Sequence, residues 1–338
     1  MPLLKSIDEL KGYVAVAMQQ LAPAIALELA EAEASVISPL LGPDLLAWLQ
    51  AQYDAAGFDR TGASLAAQLL RVVQAPLARL AVVNGVVTHQ LSLDATGVHI
   101  MSTDTSKTAF QWQVNQYQAL LQRRGLAGLD ALVQWLETHA DASPELRAWA
   151  ASPAGQAHRR ELFVHTLDFQ LYENISSSRA VFEALGPVRR RLEGFELGPV
   201  LGPDFLQELR EQVRTRSLTS ENENLLRTYV YPALASLTIG HAVPELGLAL
   251  NGDGIDLTIA RQDESNSKEA DAGLDQLLQS KANQALLDGA RYLRQLTSYL
   301  DRTASATRLA TYFNSDAYTA PALAPVINTA TSKIFKFC

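Results

Sequence analysis

An internal repeat constrains the fold of this chain more than any other feature. Ser38–Leu49 aligns with Gly198–Leu209, and seven of the twelve positions are identical at a constant offset of 160 residues. Further segments continue the match: Ser6–Asp8 with Thr166–Asp168 at the same offset, and Leu77–Leu80 with Leu234–Leu237 at an offset of 157. This period is far longer than that of solenoid repeats, so the sequence predicts a duplicated domain.

Each copy of the motif predicts a corner between two helices. A glycine that tolerates positive φ ends the first helix in a left-handed conformation, and the following proline starts the second at a position where its missing N–H is harmless. An aspartate in the first turn suits the helix dipole. The predicted structural corners are Pro39, Leu41, Gly42, Pro43 and Asp44, then Pro199, Leu201, Gly202, Pro203 and Asp204.

Composition predicts a folded protein of about two domains. The chain has 338 residues, of which 48% are hydrophobic and 19% charged, so it can bury real cores. A net charge of −8 argues against a dedicated nucleic-acid-binding protein but allows local basic patches. The single cysteine, Cys338, cannot form a disulfide or a cysteine metal site within one chain.

We expect a soluble protein made in the cytoplasm, with no membrane partner. Charged residues interrupt the first dozen positions, where a secretory signal would be apolar. The longest apolar run, Leu80–Val87, is too short to span a bilayer.

The first half begins with helical signals. Ser6 and Glu9 have the spacing of a capping box. Glu28, Glu31 and Glu33 follow in an alanine-rich helix. They form either a carboxylate cluster for metal or acid–base work or a solvated helix face, and we favour the solvated face. Pro76 and Pro232 interrupt the later helical pattern in both halves and predict a kink or a division.

Alternating apolar and polar residues around glycine turns predict one β-hairpin in each half, over 88–102 and 246–260. Asn251, Asp253 and Asp256 also suggest a calcium loop. Ile255 occupies a ligand position, however, and the closing glutamate is missing, so we favour a turn.

Long helices follow the hairpins. The stripe Phe110, Val114, Tyr117 and Leu121 predicts a helix that Gly125 ends, and leucines from Leu274 to Leu300 form the equivalent stripe. The predicted domains are copy 1 at 1–140, a linker at 141–160, copy 2 at 161–303 and a C-terminal arm at 304–338. The apolar, cationic end of that arm either folds back or reaches a neighbouring subunit.

The sequence offers no catalytic, cofactor-binding or metal-binding motif. Phosphate-binding glycine loops, the G-x-S-x-G elbow and the H-E-x-x-H helix are missing. His158 with His165, and His89 with His99, are the histidine pairs whose spacing allows a shared metal, but neither has a carboxylate partner in sequence. We therefore favour structural histidines, although a site assembled from distant residues stays open.

Two basic clusters, His158–Arg160 and Arg189–Arg191, have two interpretations. With Glu193 and Glu196 nearby, they form an ordinary salt-bridged surface. Alternatively they contact a partner or passing DNA. The candidate contact residues, with those of the C-terminal arm, are Arg159, Arg160, Arg189, Arg190, Arg191, Lys333, Phe335, Lys336 and Phe337.

Several segments together resemble a family of duplicated-domain proteins found in phages and prophages of Bacteroidota. They are Ser6–Lys11, the corners at Pro39 and Pro199, Ala109–Val114, Asn174–Arg179 and Lys333–Phe335. Each half is also similar, more loosely, to phage head-to-tail connector (adaptor) proteins, which form rings beneath the portal. The resemblance implies a structural neck protein and carries over no catalytic residue.

From the sequence we predict a mainly α protein with two tandem helical-bundle lobes, each with one β-hairpin insertion. The resemblance implies a non-enzymatic neck subunit in a virion that forms a homo-oligomeric ring, binds portal and other neck or tail proteins, and touches passing DNA non-specifically. The alternatives are a soluble enzyme with a site between the lobes and a cellular protein-binding module. Converging His, Asp or Glu side chains in an interlobe cleft would favour the enzyme.

Overall fold

The computed structural model describes residues 2–16, 19–94, 97–100, 110–246, 248–251, 254–257 and 272–321. The protein is mainly helical and divides into two lobes with separate cores. The core of the first lobe extends from Leu3 to Trp149, and the core of the second extends from Leu162 to Tyr312. The C-terminal residues Lys333, Phe335, Lys336 and Phe337 lie outside the described residues.

The helices follow the same order in both lobes. Those of the first lobe are α1 Ile7–Lys11, α2 Pro23–Ala32, the π-helix π1 Glu33–Ile37, α3 Ser38–Asp54, α4 Leu65–Gln90, α5 Gln111–Thr138, α6 Pro144–Ala151 and α7 Pro153–Ala157. Those of the second are α8 Thr166–Gln170, α9 Arg179–Ala184, α10 Gly186–Leu192, π2 Glu193–Leu197, α11 Gly198–Leu201, α12 Pro203–Thr215, α13 Ser220–Leu225, π3 Leu226–Val230, α14 Tyr231–Leu246, α15 Ala272–Thr303 and α16 Ala310–Phe313.

The predicted fold class needs correction. We expected a β-hairpin insertion in each lobe, but the protein is mainly helical, and no β layer belongs to either lobe in the part of the chain that is described. Strand pairing is limited to four-residue segments, Leu91–Asp94 (β1) with Gly97–Ile100 (β2) and Leu248–Asn251 (β3) with Gly254–Leu257 (β4). Helix α4 continues through Gln90, because the apolar stripe of a helix also fits the first residues that we assigned to a hairpin.

The duplication extends to irregular backbone. The π-helices π1 and π2 lie 160 residues apart, and each leads into a four-residue helical turn that a glycine ends. Gly42 has φ 70° and ψ 165°, and Gly202 has φ 76° and ψ 147°. These values differ from the left-handed helical conformation that we predicted, since ψ is extended. Only glycine adopts this region readily.

Close packing adds a second requirement for glycine at both corners. A Cβ atom on Gly42 would lie 2.9 Å from Cβ of Ala154, and one on Gly202 would lie 3.0 Å from Oγ of Ser315. In each lobe, therefore, the corner packs against the short C-terminal helical segment of the same lobe. The corner leucines Leu41 and Leu201 are buried. The prolines and aspartates Pro39, Pro43, Asp44, Pro199, Pro203 and Asp204 are exposed.

Gly42→Ala and Gly202→Ala should each lower the free energy of unfolding by at least about 2 kcal/mol, because both the backbone conformation and the close contact oppose a side chain. Gly194→Ala is the matched control, since Gly194 is helical and a Cβ there meets nothing within 4 Å. Urea denaturation of the three variants measures the difference. Equal stabilities would contradict the argument.

A pair of long helices forms the centre of each lobe, α4 with α5 and α14 with α15. Gly125 lies inside α5, so our prediction that it ends a helix was wrong. A Cβ on Gly125 would lie 2.7 Å from Leu80, and one on Gly289 would lie 2.5 Å from Leu237. Leu80 and Leu237 are equivalent in the repeat, so Gly125 matches Gly289. Residues of α5 therefore correspond to residues of α15 at an offset of 164.

Proline affects the first long helix of each pair differently. Pro76 lies inside α4, which continues past it as one helix. Pro232 is the second residue of α14, just after π3, where the chain divides into α13, π3 and α14. Leu65–Gly85 of α4 is long and apolar enough to cross a membrane by composition, but most of that stretch is buried within the protein, as in a core helix.

Residues 144–157, which we assigned to a linker, form α6 and α7 and pack against α3. Indole Nε1 of Trp149 donates a hydrogen bond of 2.9 Å to the carbonyl oxygen of Leu40. This segment therefore closes the first lobe. The domain boundaries themselves stay a prediction.

Each of π1 and π2 begins with a buried glutamate. Glu33 accepts hydrogen bonds from the backbone N–H of Leu3 and from Nε2 of Gln50, at 3.1 Å. Our assignment of Glu33 to a solvated face was wrong, because only 8% of the residue is exposed. Glu31 is exposed, as we predicted. Burial raises the pKa of the Glu33 carboxyl, although its hydrogen bonds oppose the change.

The second lobe repeats this arrangement with a charged partner. Glu193 accepts a hydrogen bond of 2.9 Å from the backbone N–H of Leu162 and one of 3.0 Å from Nε of Arg210. Arg210 is equivalent to Gln50 at the offset of 160. Burial again raises the pKa of the carboxyl. A neutral amide in one lobe thus replaces a guanidinium in the other.

Glu33→Gln should change the free energy of unfolding by less than about 1 kcal/mol at pH 7, whereas Glu193→Gln should lower it by about 2 kcal/mol or more. A glutamine at position 33 can exchange an amide hydrogen bond with Gln50, but one at position 193 faces only donors on Arg210. Since the pKa of Glu33 is raised, its ionisation removes stability as pH increases, and Glu33→Gln should weaken that dependence. Denaturation from pH 4 to 8 checks both variants.

Candidate functional site

The densest polar cluster lies where the two lobes meet, around Glu137 in the last turn of α5. Nε2 of His158 lies 2.6 Å from Oε1 of this carboxylate. Arg159 donates from Nε at 2.9 Å and from Nη2 at 2.6 Å. Arg216, from the second lobe, donates from Nε at 2.8 Å and from Nη2 at 2.6 Å. We call these four residues the interlobe cluster.

Local backbone structure positions each hydrogen-bond partner of Glu137. His158 caps the C-terminus of α7, and Arg159 follows it. Arg216 ends α12 in the left-handed conformation, with φ 59° and ψ 31°. A non-glycine residue pays a strain of about 1 kcal/mol or more in this region. The gain is orientation, because the turned backbone directs the Arg216 guanidinium back to the first lobe.

Additional hydrogen bonds fix the arginines across the seam. Arg216 donates to the carbonyl oxygens of Ala150, at 2.9 Å, and Gly155, at 3.0 Å. Arg159 donates to the carbonyl oxygen of Val213 at 2.5 Å. The indole of Trp149 stacks on the His158 ring at 5.9 Å, and the Arg216 guanidinium lies 5.5 Å from the indole. Both lobes therefore contribute to one connected network.

The interlobe cluster keeps Glu137 ionised. Burial opposes the charged form, since only 9% of the side chain is exposed. The hydrogen bonds from His158, Arg159 and Arg216 outweigh that effect and hold the pKa of the carboxyl well below its usual range. A carboxylate with such a low pKa is a poor general base, because it rarely accepts a proton near neutral pH.

A second ion pair crosses the seam nearer the N-terminus of α5. Oδ1 of Asp130 accepts from Nη1 of Arg179 at 2.6 Å and from Oγ1 of Thr166 at 3.1 Å. Arg179 also pairs with Glu183. Val133, which lies between Asp130 and Glu137 on the helix, is 2% exposed. The seam is thus a charged interface around a small apolar contact.

The seam matches neither an interlobe cleft with free catalytic side chains, which would favour an enzyme, nor a flat apolar contact, which would favour a structural protein. It is not apolar, and its acidic and histidine side chains do converge. They converge on one another, however, and among the described residues no buried side-chain nitrogen or oxygen lacks a hydrogen-bond partner. The geometry is that of a structural contact filled by its own side chains.

The histidine pairs do not form a metal site in the part of the chain that is described. His158 contacts Glu137, and His165 occupies the N-cap position of α8 without a side-chain capping bond. Burial lowers the pKa of the His165 imidazole, and Asp168 opposes the change. No group of three or more His, Cys, Asp or Glu residues suited to a metal occurs among the described residues. The side chains of His89 and His99 lie outside them.

The predicted basic residues separate into buried and exposed sets. Arg159 belongs to the interlobe cluster. Arg189 is 2% exposed, pairs with Glu161 and lies 3.8 Å from the ring centre of Phe182. Arg190 also pairs with Glu161, and Arg191 pairs with Glu245. The ion-pair partners that we proposed, Glu193 and Glu196, were therefore the wrong ones.

An arginine-rich groove of about 370 Å³ lies beside these clusters on the second lobe. Arg160, Arg190, Arg210 and Arg214 line it together with Arg159, Glu193, Gln207 and Glu211. Arg160 is exposed and forms no ion pair with any described residue. Among the predicted contact residues, Arg160 and Arg190 are thus the two that are brought together at an open surface.

The comparison with known families identifies the duplication. A model of a family of unknown function (DUF6712) matches residues 37–156 and again residues 197–322. The chain belongs to this family. Each match begins at the end of a π-helix and includes the corner and the long helix pair. No curated protein and no solved structure matches the chain.

Sequence reasoning missed Glu137, Asp130, Arg179 and Arg216, which hold the lobes together. Glu137 and Asp130 look like ordinary polar positions of an amphipathic helix. The one available signal was the buried neighbour: Val133 continues the apolar stripe toward a face that the first core does not need. Partners 49 and 79 residues away cannot be paired from one sequence.

Glu137→Gln should lower the free energy of unfolding by about 3 kcal/mol at pH 7, since two partly buried arginines lose their carboxylate. The depressed pKa of Glu137 contributes stability above its ordinary pKa of 4.5, and that contribution is lost as pH falls further. The variant should therefore show a weaker acid dependence than the wild type. Thermal unfolding between pH 3 and 7 measures both effects.

Glu211→Gln is the control for this prediction. Glu211 pairs with Arg214 at 2.5 Å on the surface, where an ion pair contributes little. A loss as large in Glu211→Gln as in Glu137→Gln would show that burial and convergence are not the cause.

Proposed function

We propose that this protein is a structural assembly subunit, a head-to-tail connector or neck protein of a phage or phage-like particle, and that it has no catalytic role. The observation that carries the proposal is the interlobe cluster. Its ionisable side chains are consumed in fastening two related helical lobes into one body. A protein that transmits position between a portal and a tail needs such a rigid body.

Exposed apolar side chains support a role in protein contacts. Phe110 and Trp112, at the start of α5, are 69% and 59% exposed. Leu277 and Leu287 of α15 are each 64% exposed. Aromatic and large aliphatic residues at the surface are typical anchors of protein interfaces. Both long helix pairs therefore offer apolar contacts to other neck, portal or tail proteins.

The arginine-rich groove gives DNA a place in this proposal. DNA passes through the neck of a particle during packaging and ejection, and a neck protein needs weak contacts that do not read sequence. Arg160 and Arg190 are exposed cations of this groove. The glutamates Glu193 and Glu211 moderate its charge, which suits transient contact better than tight binding.

Particles produced without this protein test the proposal. We expect DNA-filled heads and free tails that fail to join, and restored joining when the wild-type chain is supplied from a plasmid. Electron microscopy counts joined particles, and quantitative mass spectrometry of purified particles measures the copy number of the chain. Cross-linking should connect it to the portal or to another neck protein.

Normally tailed particles in the absence of the chain, or purified particles that lack it, would contradict this function. The enzyme alternative makes a different prediction, namely a substrate-dependent activity from a chain that stays free of the particle. The Glu137 carboxylate, whose low pKa is held by two arginines and a histidine, gives no support to that alternative.

A further inference from the structure

We propose that the contact between the two lobes is repeated between successive chains, so that the second lobe of one chain binds the first lobe of the next. The inference rests on the proposed assembly function and specifies its self-contact. Each lobe has two sides that can form the contact between lobes. The first side is formed by α5 and residues 150–159 in the first lobe, and by their counterparts in the second lobe. The other side is formed by α8, α9 and the end of α12 in the second lobe, and by their counterparts in the first lobe. Within one chain, each lobe uses only one of its two sides for the contact.

The unused side of the second lobe is an open groove of about 600 Å³, which we call the C-groove. Arg294, Thr297 and Asp301 of α15 line it. At the offset of 164 that Gly125 and Gly289 define, they correspond to Asp130, Val133 and Glu137, the seam residues of the first lobe. Thus the three α5 residues that face the second lobe all have counterparts in this groove.

The tail of each lobe extends the correspondence. Ala154 packs on Gly42 and Ser315 packs on Gly202, an offset of 161. His158 and Arg159 therefore correspond to Thr319 and Ala320, which also line the C-groove. The backbone N–H of Thr319 donates to Asp301 at 3.0 Å, as His158 contacts Glu137.

The unused side of the first lobe is a second open groove, of about 370 Å³, which we call the N-groove. Lys5, Ser6 and Tyr53 line it together with the ion pair of Glu9 and Arg60. At the offset of 160, Lys5, Ser6 and Tyr53 correspond to His165, Thr166 and Val213. At the seam, the Thr166 hydroxyl donates to Asp130, and the Val213 carbonyl oxygen accepts from Arg159. The two grooves are thus the two unpaired halves of the interface that the lobes already form.

Two charged residues at or beside the seam have counterparts of opposite charge in or next to the grooves. The exposed Arg294 of the C-groove replaces Asp130, and Arg214, beside the seam, is replaced by Asp54, which pairs with Lys5 next to the N-groove. Arg302 adds a second cation to the C-groove, and Asp8 adds an exposed anion next to Ser6. Neither Arg294 nor Arg302 pairs with a described residue. The C-groove is therefore basic where α5 is acidic, and the counterpart of Thr166, which contacts Asp130 at the seam, is Ser6 with the exposed Asp8 beside it.

One position loses its partner and is compensated locally. Arg216 corresponds to Ala56, so no guanidinium is available for Asp301. Asp301 instead accepts from the hydroxyl of Tyr312, at 2.8 Å, and from Thr319 within its own lobe. The C-groove is thus free of an unpaired buried carboxylate, and it can remain open before the next chain binds.

We assign a second copy of this chain as the occupant, because each groove corresponds by duplication to one half of the contact between the lobes. The C-groove of one chain therefore matches the N-groove of the next. Such a contact joins two different surfaces, so it is heterologous, and it builds a ring when the rotation closes or a filament when it does not. Successive lobes would then alternate around the assembly.

Charge reversal in each groove tests the inference. Arg294→Glu/Arg302→Glu places acid opposite acid, and Asp8→Lys/Asp54→Lys places base opposite base. We expect each double variant to associate at least about a hundredfold more weakly than the wild type, because like charges across an interface are strongly unfavourable. Sedimentation or native mass spectrometry over a concentration series measures assembly of the full 36.8 kDa chain.

Mixing the two double variants is the decisive arm. In the mixture the two wild-type grooves meet at one junction, and the acidic C-groove of the first variant meets the basic N-groove of the second at the next, so assembly should return with the two variants alternating. A two-fold contact between identical surfaces would not give this complementation. Arg124→Glu/Arg227→Glu is the matched control with the same charge change on exposed arginines outside both grooves, and it should assemble like the wild type.

Three results would overturn the inference: a wild-type chain that stays monomeric at high concentration, double variants that assemble like the wild type, or a mixture of the two double variants that stays unassembled. Circular dichroism of each double variant excludes misfolding as the cause of a loss. A chain that assembles through the grooves but joins no particle would sink the connector function and leave this inference standing. A chain that joins particles while the groove variants assemble normally would do the reverse.

Discussion

The body of this protein depends on one buried carboxylate that two arginines and a histidine share. Glu137 comes from the first lobe and Arg216 from the second, with His158 and Arg159 between them in sequence. Taking these charges out of water is unfavourable, and the contact stabilises the fold only because nearly every donor finds an acceptor. Hydrogen bonds to the carbonyl oxygens of Ala150, Gly155 and Val213 complete that requirement. The relative position of the lobes is therefore specified by directional contacts and not by apolar burial alone.

Comparison of the two lobes separates what the backbone requires from what the surface permits. Both lobes keep the π-helix, the positive-φ glycine and the close contact of the long helices at Gly125 and Gly289. The polar partners differ: Gln50 answers Glu33 where Arg210 answers Glu193. A buried carboxylate at the start of each π-helix receives the N–H of an incoming extended segment in both cases. It fastens the first residues of each lobe to its centre, which explains why the position stays acidic although burial raises its pKa.

The sequence predicted the features that short-range chemistry determines. The duplication, the helix corners and the Ser6–Glu9 capping box follow from residues a few positions apart, and the structure has the cap and both corners. Predictions from local patterns were wrong where one sequence pattern fits two different local structures. The alternation near Thr88 also fits the end of α4, and Gly125 reads as a helix end although its role is close packing with Leu80. Glu33 looked solvated because its helix is polar on that side, and nothing in the sequence shows that the chain before α1 covers it.

The candidate site escaped prediction for a different reason. Each interlobe contact joins residues that are far apart in sequence, and a charged residue has many equivalent partners before the fold is known. The duplication helps to identify contact residues only after the structure shows which face of α5 contacts the second lobe. The corresponding face of α15 can then be read by position. At that face Arg294 replaces Asp130, and on the opposite lobe Asp54 replaces Arg214.

A tandem duplication gives such a chain two distinct junctions from one ancestral contact. If a single-lobe ancestor assembled head to tail, every interface would be identical, and a mutation would change all of them together. After fusion, the contact inside the chain is held at high effective concentration and tolerates a strained residue such as Arg216. The contact between chains must stay soluble before assembly, which favours open grooves whose carboxylates are satisfied locally, as Asp301 is by Tyr312 and Thr319.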